Sequence, residues 1–143
     1  MKTFNVSPPI LKEDIPAFLS KAGISITPQR IEIAAILLEK IQHLSADHIR
    51  RELKTNDMAV SKATVYNTLG LFVARGVIRE LIVDGTRTFY DSNPKPHYHF
   101  YNSDESTLTD FPSDDAEINN LPRLPAGTVL DSVDLVIRVS RKS

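Results

Sequence analysis

The chain has 143 residues, 41% of them hydrophobic, and its 17 Lys+Arg against 18 Asp+Glu leave a net charge of −1. That length suits one domain or two small ones, and so slight a charge gives no bulk attraction to nucleic acid, so any basic contact surface has to be local. The absence of cysteine rules out disulfides and thiolate metal sites; no apolar run reaches the roughly 18 residues that would span a membrane, and the opening MKTFNVSPPI is not a secretory signal, so a cytoplasmic protein with no membrane partner is expected.

The front of the chain reads as a string of short helices. In DIPAFLSKAG, Ile15, Phe18, Leu19 and Ala22 fall at helical spacing, and Gly23 stands where a helix stops. TPQRIEIAAILLEKI opens with Thr27 as N-cap and Pro28 at the first helical position, where a missing N–H costs nothing. Its apolar stripe is predicted at Ile31, Ala34, Ala35, Leu38 and Ile41. Ser45 caps a third helix with Ile49 and Leu53 inward, and Ser61 caps a fourth that Gly76 ends. Gly70 inside this fourth helix costs about 1 kcal/mol against alanine, which predicts a close contact there. VIRELIVDGTRTFYD then turns β-branched and aromatic on both sides of Asp84-Gly85, a two-residue hairpin signal. Short helices followed by one hairpin are the layout of a winged helix, here over residues 1–91.

SNPKP, residues 92–96, reads as a linker because its prolines break both helix and ladder. Beyond it, residues 97–143 predict a small sheet. HYHFYN and TLTDF read as short strands, and GTVLDSVDLVIRVS as a longer one with Val133, Leu135, Ile137 and Val139 on one face. Pro112, Pro122, Pro125 and Gly127 leave room for at most a short helix near 115–121. The fold class is therefore α+β. A small sheet with little helical cover has an apolar face it cannot hide alone, which predicts a second copy of the chain as its cover.

On the fourth helix, Val65, Leu69 and Phe72 are spaced to face a core. Lys62, Ala63, Tyr66 and Asn67 lie on another face near its start, with Ser61 and Thr64 beside them. In a helix-turn-helix that end of the second helix enters the major groove. Asn67 can read adenine, Tyr66 and Lys62 can reach bases or phosphates, and the helix N-terminus favours a phosphate. Arg79 and Arg87 in the hairpin and Arg30, Arg50 and Arg51 in the earlier helices add charge. The same pattern also suits an ordinary solvated helix or a protein-docking module.

His97 and His99 are two apart, so on a strand both project from one face, a bidentate arrangement. Asp91, Asp110 and His43 are the other donors that could join them. Mixed N/O ligation suits Fe(II), Mn(II), Co(II) or Zn(II), whereas magnesium and calcium prefer oxygen. Surface histidines beside a proline-rich turn are the plainer reading, and the catalytic ion of a small metallohydrolase is a third. No further acid/base residue is evident near the cluster, which weighs against an enzyme.

GISITPQR, HLSADHIRREL, KATVYNTLGLF, GVIRELIVDGTRTFYD and HYHFYN occur in this order. They resemble the ferric uptake regulator (Fur) superfamily of metal-dependent transcription factors, over about residues 15–140. Within it the chain looks most like the iron response regulator (Irr) branch, through DGTRTFYDSN, the acidic residues after HYHFY, and LPRLPAG before a final strand. The resemblance implies a winged-helix DNA-binding domain, a hinge and an α+β dimerisation domain. It implies a dimer bound to double-stranded DNA at a palindromic operator, repressing genes of iron or haem homeostasis. It also implies one divalent metal per chain, Fe(II), Mn(II) or Zn(II), shared between the domains. In the peroxide-regulator (PerR) members the matching ligand positions are His43, Asp91, His97, His99 and Asp110, and peroxide sensing is the alternative function.

The departures are specific. Asn102 and Glu105 stand where many members carry the first CxxC pair, so the four-cysteine structural zinc is not expected. Tyr98 takes the middle of what is often a triple histidine linked to haem, and no Cys-Pro motif is present. Haem is thereby the lesser cofactor candidate. Ser25 replaces a basic residue that many members present to the minor groove, which shifts that expected contact toward Lys21.

Overall fold

The structure, a computed structural model, describes residues 7–84 and 87–143. Its chain divides into two compact units between Pro94 and Lys95.

In the first unit, α1 (Ile15–Lys21) ends through Ala22 and Gly23, and Gly23 takes φ +76°, a left-handed conformation that a side chain disfavours. The caps of the next helices follow the sequence. Thr27 accepts the Arg30 amide at the start of α2 (Pro28–Leu38). Ser45 accepts the His48 amide at α3 (Ala46–Thr55), and Ser61 the Thr64 amide at α4 (Lys62–Ala74). Each satisfies an amide that the helix itself leaves without a partner.

The stripe predicted on α2 holds at Ala34 and Leu38, which are buried, and is displaced elsewhere. Ile33 and Leu37 are fully buried and Ile36 nearly so, while Ile31 and Ala35 are only partly covered and Ile41 lies exposed beyond the helix end. The reason is that α2 packs against α1, α3 and α4 together, so it has no single core-facing side. Gly70 is a second difference. A Cβ there would meet nothing within 4 Å, so no close contact requires the glycine. On α4, Val65, Leu69 and Phe72 are buried as the spacing predicts, and Thr68 joins them.

The hairpin forms from β2 (Arg79–Asp84) and β3 (Arg87–Asp91), antiparallel with Leu81 opposite Phe89. Gly85, the second half of the predicted turn signal, lies outside the described residues. A two-residue strand, β1 (His43–Leu44), pairs with β3 and completes a three-stranded sheet in the order β1-β3-β2. Of the stretch read as a linker, Ser92 and Asn93 are buried. Ser92 donates its amide to the Gln42 carbonyl and its hydroxyl to the Lys40 carbonyl, and it accepts the Gln42 amide on that hydroxyl. The chain leaving β3 is thus tied to the segment leading into β1.

The second unit is a three-stranded sheet in the order β5-β4-β6, from β4 (His97–Asn102), β5 (Thr107–Pro112) and β6 (Val136–Val139). β6 is shorter than its sequence pattern, and Val133 and Leu135 precede it. It runs parallel to β4, so the chain has to return to the same end of the sheet before pairing. Residues 116–135 make that return without regular structure, and the helix allowed near 115–121 reduces to one tight turn at Ser113–Asp115. The sheet has two different faces. Tyr98, Phe100, Phe111, Ile137 and Val139 share one by register, and His97, His99, Tyr101 and Asp110 share the other. Among the described residues no helix is long and apolar enough to cross a membrane.

Candidate metal and nucleic-acid sites

Two groups of candidate ligands are built by strand register, one in each unit. In the first, β1 sets His43 directly opposite Asp91 of β3. Residues facing each other across an antiparallel pair point to the same side of the sheet. His43 Nε2 lies 3.9 Å from Asp91 Oδ2. The other carboxylate oxygen, Oδ1, accepts the Asn93 amide at 2.8 Å and so holds the Asp91 side chain in place. Asp91 is 3% exposed, and a carboxylate so buried calls for a charged or donating partner.

In the second unit, β4 and β5 place His99 directly opposite Asp110. His99 Nε2 is 3.2 Å from Asp110 Oδ1, and His97 Nε2 is 3.9 Å from the same oxygen. The two imidazoles meet edge to face with centroids 4.6 Å apart. His97 Nδ1 is hydrogen-bonded to the Lys95 carbonyl. A carbonyl only accepts, so Nδ1 carries the proton and Nε2 is the nitrogen turned to Asp110. Donor atoms about 2.1 Å from one first-row ion lie roughly 3.0–3.4 Å from each other. The His99–Asp110 separation falls in that range, and the donor set of imidazole and carboxylate fits such an ion. Tyr98 points to the opposite side of β4, with its ring 5.9 Å from Phe111. The fourth histidine, His48, bonds Glu52 one turn along α3 at 2.9 Å and belongs to neither group.

The turn between β4 and β5 is closed by side-chain and backbone hydrogen bonds. Asn102 Oδ1 accepts the amides of both Asp104 and Glu105, at 3.0 and 3.1 Å. The Ser103 amide then donates to the Val139 carbonyl of β6 at 3.0 Å. At the position where the family resemblance puts a cysteine, the Asn102 side chain closes the turn.

The DNA-contact candidates lie on the first unit. Lys62, Thr64, Tyr66 and Asn67 are exposed on α4, and the Lys62 ammonium sits 5.9 Å from the centre of the Tyr66 ring. The Ser61 hydroxyl is engaged locally, donating to Thr64 Oγ1 at 2.9 Å while it caps the helix. Lys21, Arg79 and Arg87 are exposed as well. Arg30 is committed on one side: its Nη1 donates to the Ser25 carbonyl at 2.8 Å and to the Ser25 hydroxyl at 2.7 Å. The loop position that lacks a basic residue of its own thus carries a guanidinium from α2. Beneath the wing, Tyr90 is buried, and burial pushes its phenol above the usual tyrosine value, with Glu80 and Tyr66 adding to the rise. Lys54, which the sequence reading passed over, shares a concave surface with Arg50 and Arg51.

A model of the ferric uptake regulator family matches residues 21–137. The peroxide-responsive repressor PerR of Staphylococcus aureus is 35% identical over 114 residues, covering 80% of this chain and 75% of that protein. The ferric uptake regulator of Pseudomonas aeruginosa with manganese superposes with a TM-score of 0.66 at 24% identity, over 90% of this chain and 98% of that one. The ferric uptake regulator of Francisella tularensis with iron gives 0.67 at 24% identity, over 84% and 93%.

Proposed function

The chain belongs to the ferric uptake regulator family of metal-responsive regulators, and on that premise we propose that it is a DNA-binding repressor serving iron or haem homeostasis. In this reading residues 1–91 form the DNA-binding domain, 92–96 a hinge and 97–143 a dimerisation domain. Two copies join and place two α4 helices in the major grooves of an inverted repeat. Lys62, Tyr66 and Asn67 meet base edges or phosphates, Ser61 and Thr64 order the start of the helix, and Lys21, Arg30, Arg79 and Arg87 reach the backbone or the minor groove. Phe100, Ile137 and Val139 on the exposed sheet face, at 38%, 37% and 38% exposure, are the apolar surface that a second copy covers. In this reading the chain acts in the cytoplasm, and no enzymatic activity is proposed.

One divalent ion per chain, Fe(II), Mn(II) or Zn(II), is held by His43 and Asp91 together with His97, His99 and Asp110. The observation that carries this is the pairing of an imidazole with a carboxylate at facing strand positions in each unit. Each pair is a half-site too small to bind tightly, and a shared ion favours the hinge conformation in which both halves contribute. Relatives with manganese and with iron support the choice of ions. The chain without cysteine takes no four-cysteine zinc, and haem stays a lesser candidate. Fluorescence anisotropy of operator DNA, selected by footprinting from random sequence, tests the reading under anaerobic conditions. Mn(II) should tighten binding at least tenfold over chelator, and His99→Ala should abolish that gain while leaving chelator-state binding unchanged. Equal affinity with chelator and with Mn(II) would sink the metal switch.

Peroxide sensing is the second reading, favoured by the identity to the staphylococcal peroxide-responsive repressor. In this reading, peroxide oxidises a ligand histidine beside a bound ferrous ion. Peroxide treatment of the Fe(II)-loaded protein should then add the mass of one oxygen atom to a peptide holding His43 or His97, and an unchanged mass would remove this reading.

A further inference from the structure

Four charged residues of α3, Asp47, Arg50, Arg51 and Lys54, fall three, one and three positions apart and so share one side of the helix. Facing them is the connection into α4, through Ala59, Val60 and Ser61. Together they line a concave surface of about 600 Å³. Three cations meet a single carboxylate there. None of Arg50, Arg51 and Lys54 forms a salt bridge among the described residues, although other side chains of the same unit pair, Lys12 with Glu32 and His48 with Glu52. Uncompensated like charges gathered in one hollow repel each other, and an arriving anion relieves that repulsion. Guanidinium groups offer forked donors that match the oxygens of a phosphate. The hollow also borders the start of α4, a helix of 13 residues. Ser61 spends its side chain on Thr64, which leaves the amides of Lys62 and Ala63 at that end without a helical acceptor.

We propose that this hollow is a phosphate seat, formed by Arg50, Arg51 and Lys54, whose occupant is a phosphodiester of the duplex flanking the groove that α4 enters. The choice of DNA as the source rests on the DNA-binding reading above; the phosphate chemistry does not. The seat fixes how deep and at what angle α4 sits, and it carries no sequence information. Asp47 tempers it, so a phosphate enters and leaves rather than locking in place.

Two experiments on the full chain separate the seat from its premise. The first measures the salt dependence of operator binding for wild type, for Arg50→Gln with Arg51→Gln, and for Lys12→Gln with Lys40→Gln, which removes the same charge from the same unit elsewhere. The slope of log affinity against log salt should shrink by about two for the arginine pair and stay near wild type for the lysine pair. Random-sequence DNA should lose affinity by the same factor as operator. The arginines are exposed, so the variant should keep its melting temperature, and Lys54→Gln alone should show a smaller loss of slope. The second titrates inorganic phosphate, without DNA, against the arginine side-chain Nε–H resonances. Saturable shifts that vanish in the arginine variant support the seat. Equal slopes for the two double variants overturn the DNA source even if free phosphate binds. If wild type binds no DNA while phosphate saturates these resonances, the regulatory reading fails and the seat holds a free phosphate. No change in either experiment overturns the seat itself.

Discussion

Asn102 closes the β4–β5 turn with a single side chain. Its Oδ1 accepts two amides of the β4–β5 turn, a local arrangement that needs only the side chain and the next three residues. Asn102→Ala should destabilise the chain by about 1–2 kcal/mol, read from urea unfolding, because both amides lose their partner. Asn102→Asp should restore most of that loss, since the acceptor is kept. Equal stability of the alanine variant and wild type would show that the turn closes without the side chain. Arg30 teaches a related lesson. Its place after Thr27 and Pro28 marks the helix start, but its grip on Ser25 follows from the loop folding back over α2. The sequence let Lys21 inherit the charge that Ser25 lacks; the guanidinium of Arg30 stands at that loop as well.

Among the elements, α4 is where sequence and packing agree best. Its cap and its inward residues follow from neighbours within one or two turns, and those interactions are nearly independent of the rest of the fold. Gly70 is the exception. A glycine in a helix interior costs about 1 kcal/mol against alanine, and nothing packs on it here. Gly70→Ala should therefore raise stability by about that amount and increase the melting temperature by several degrees in calorimetry. A lower melting temperature would mean that something does approach α4 at this point. The stripe on α2 was less legible, because three helices surround it and each buries a different side.

For the molecule as a whole, the sheet of the second unit divides its labour between faces. The histidines and Asp110 lie on one side, and Phe100, Phe111, Ile137 and Val139 on the other, a consequence of strand alternation. Phe100 lies on the central strand, with its ring 4.7 Å from Phe111, and is still 38% exposed. If a second copy covers this face, Phe100→Glu should convert a dimer into a monomer in sedimentation velocity, with its far-UV circular dichroism unchanged. A dimer that survives the charge would place the interface elsewhere. The ligand face should be untouched, so the isolated change should leave Mn(II) affinity within a few-fold of wild type.

The sequence by itself determined the helix caps at Thr27, Ser45 and Ser61, the paired strands of the wing and the α+β class. It also carried the family likeness, through motifs spread along most of the chain. All the structural signals among these act between residues close in the chain, where a short side chain or a glycine decides the outcome. Only the tertiary structure decided that His43 stands on a strand at all, that it faces Asp91, and that Asp110 faces His99. It alone brought the cations of α3 to the connection before α4. The ligand pairings depend on register between strands, and the cation cluster on how the turn after α3 folds back beside that helix. A slip of one residue in a ladder would turn a ligand to the other side of its sheet, and the sheet's own hydrogen bonds and buried face are what forbid it.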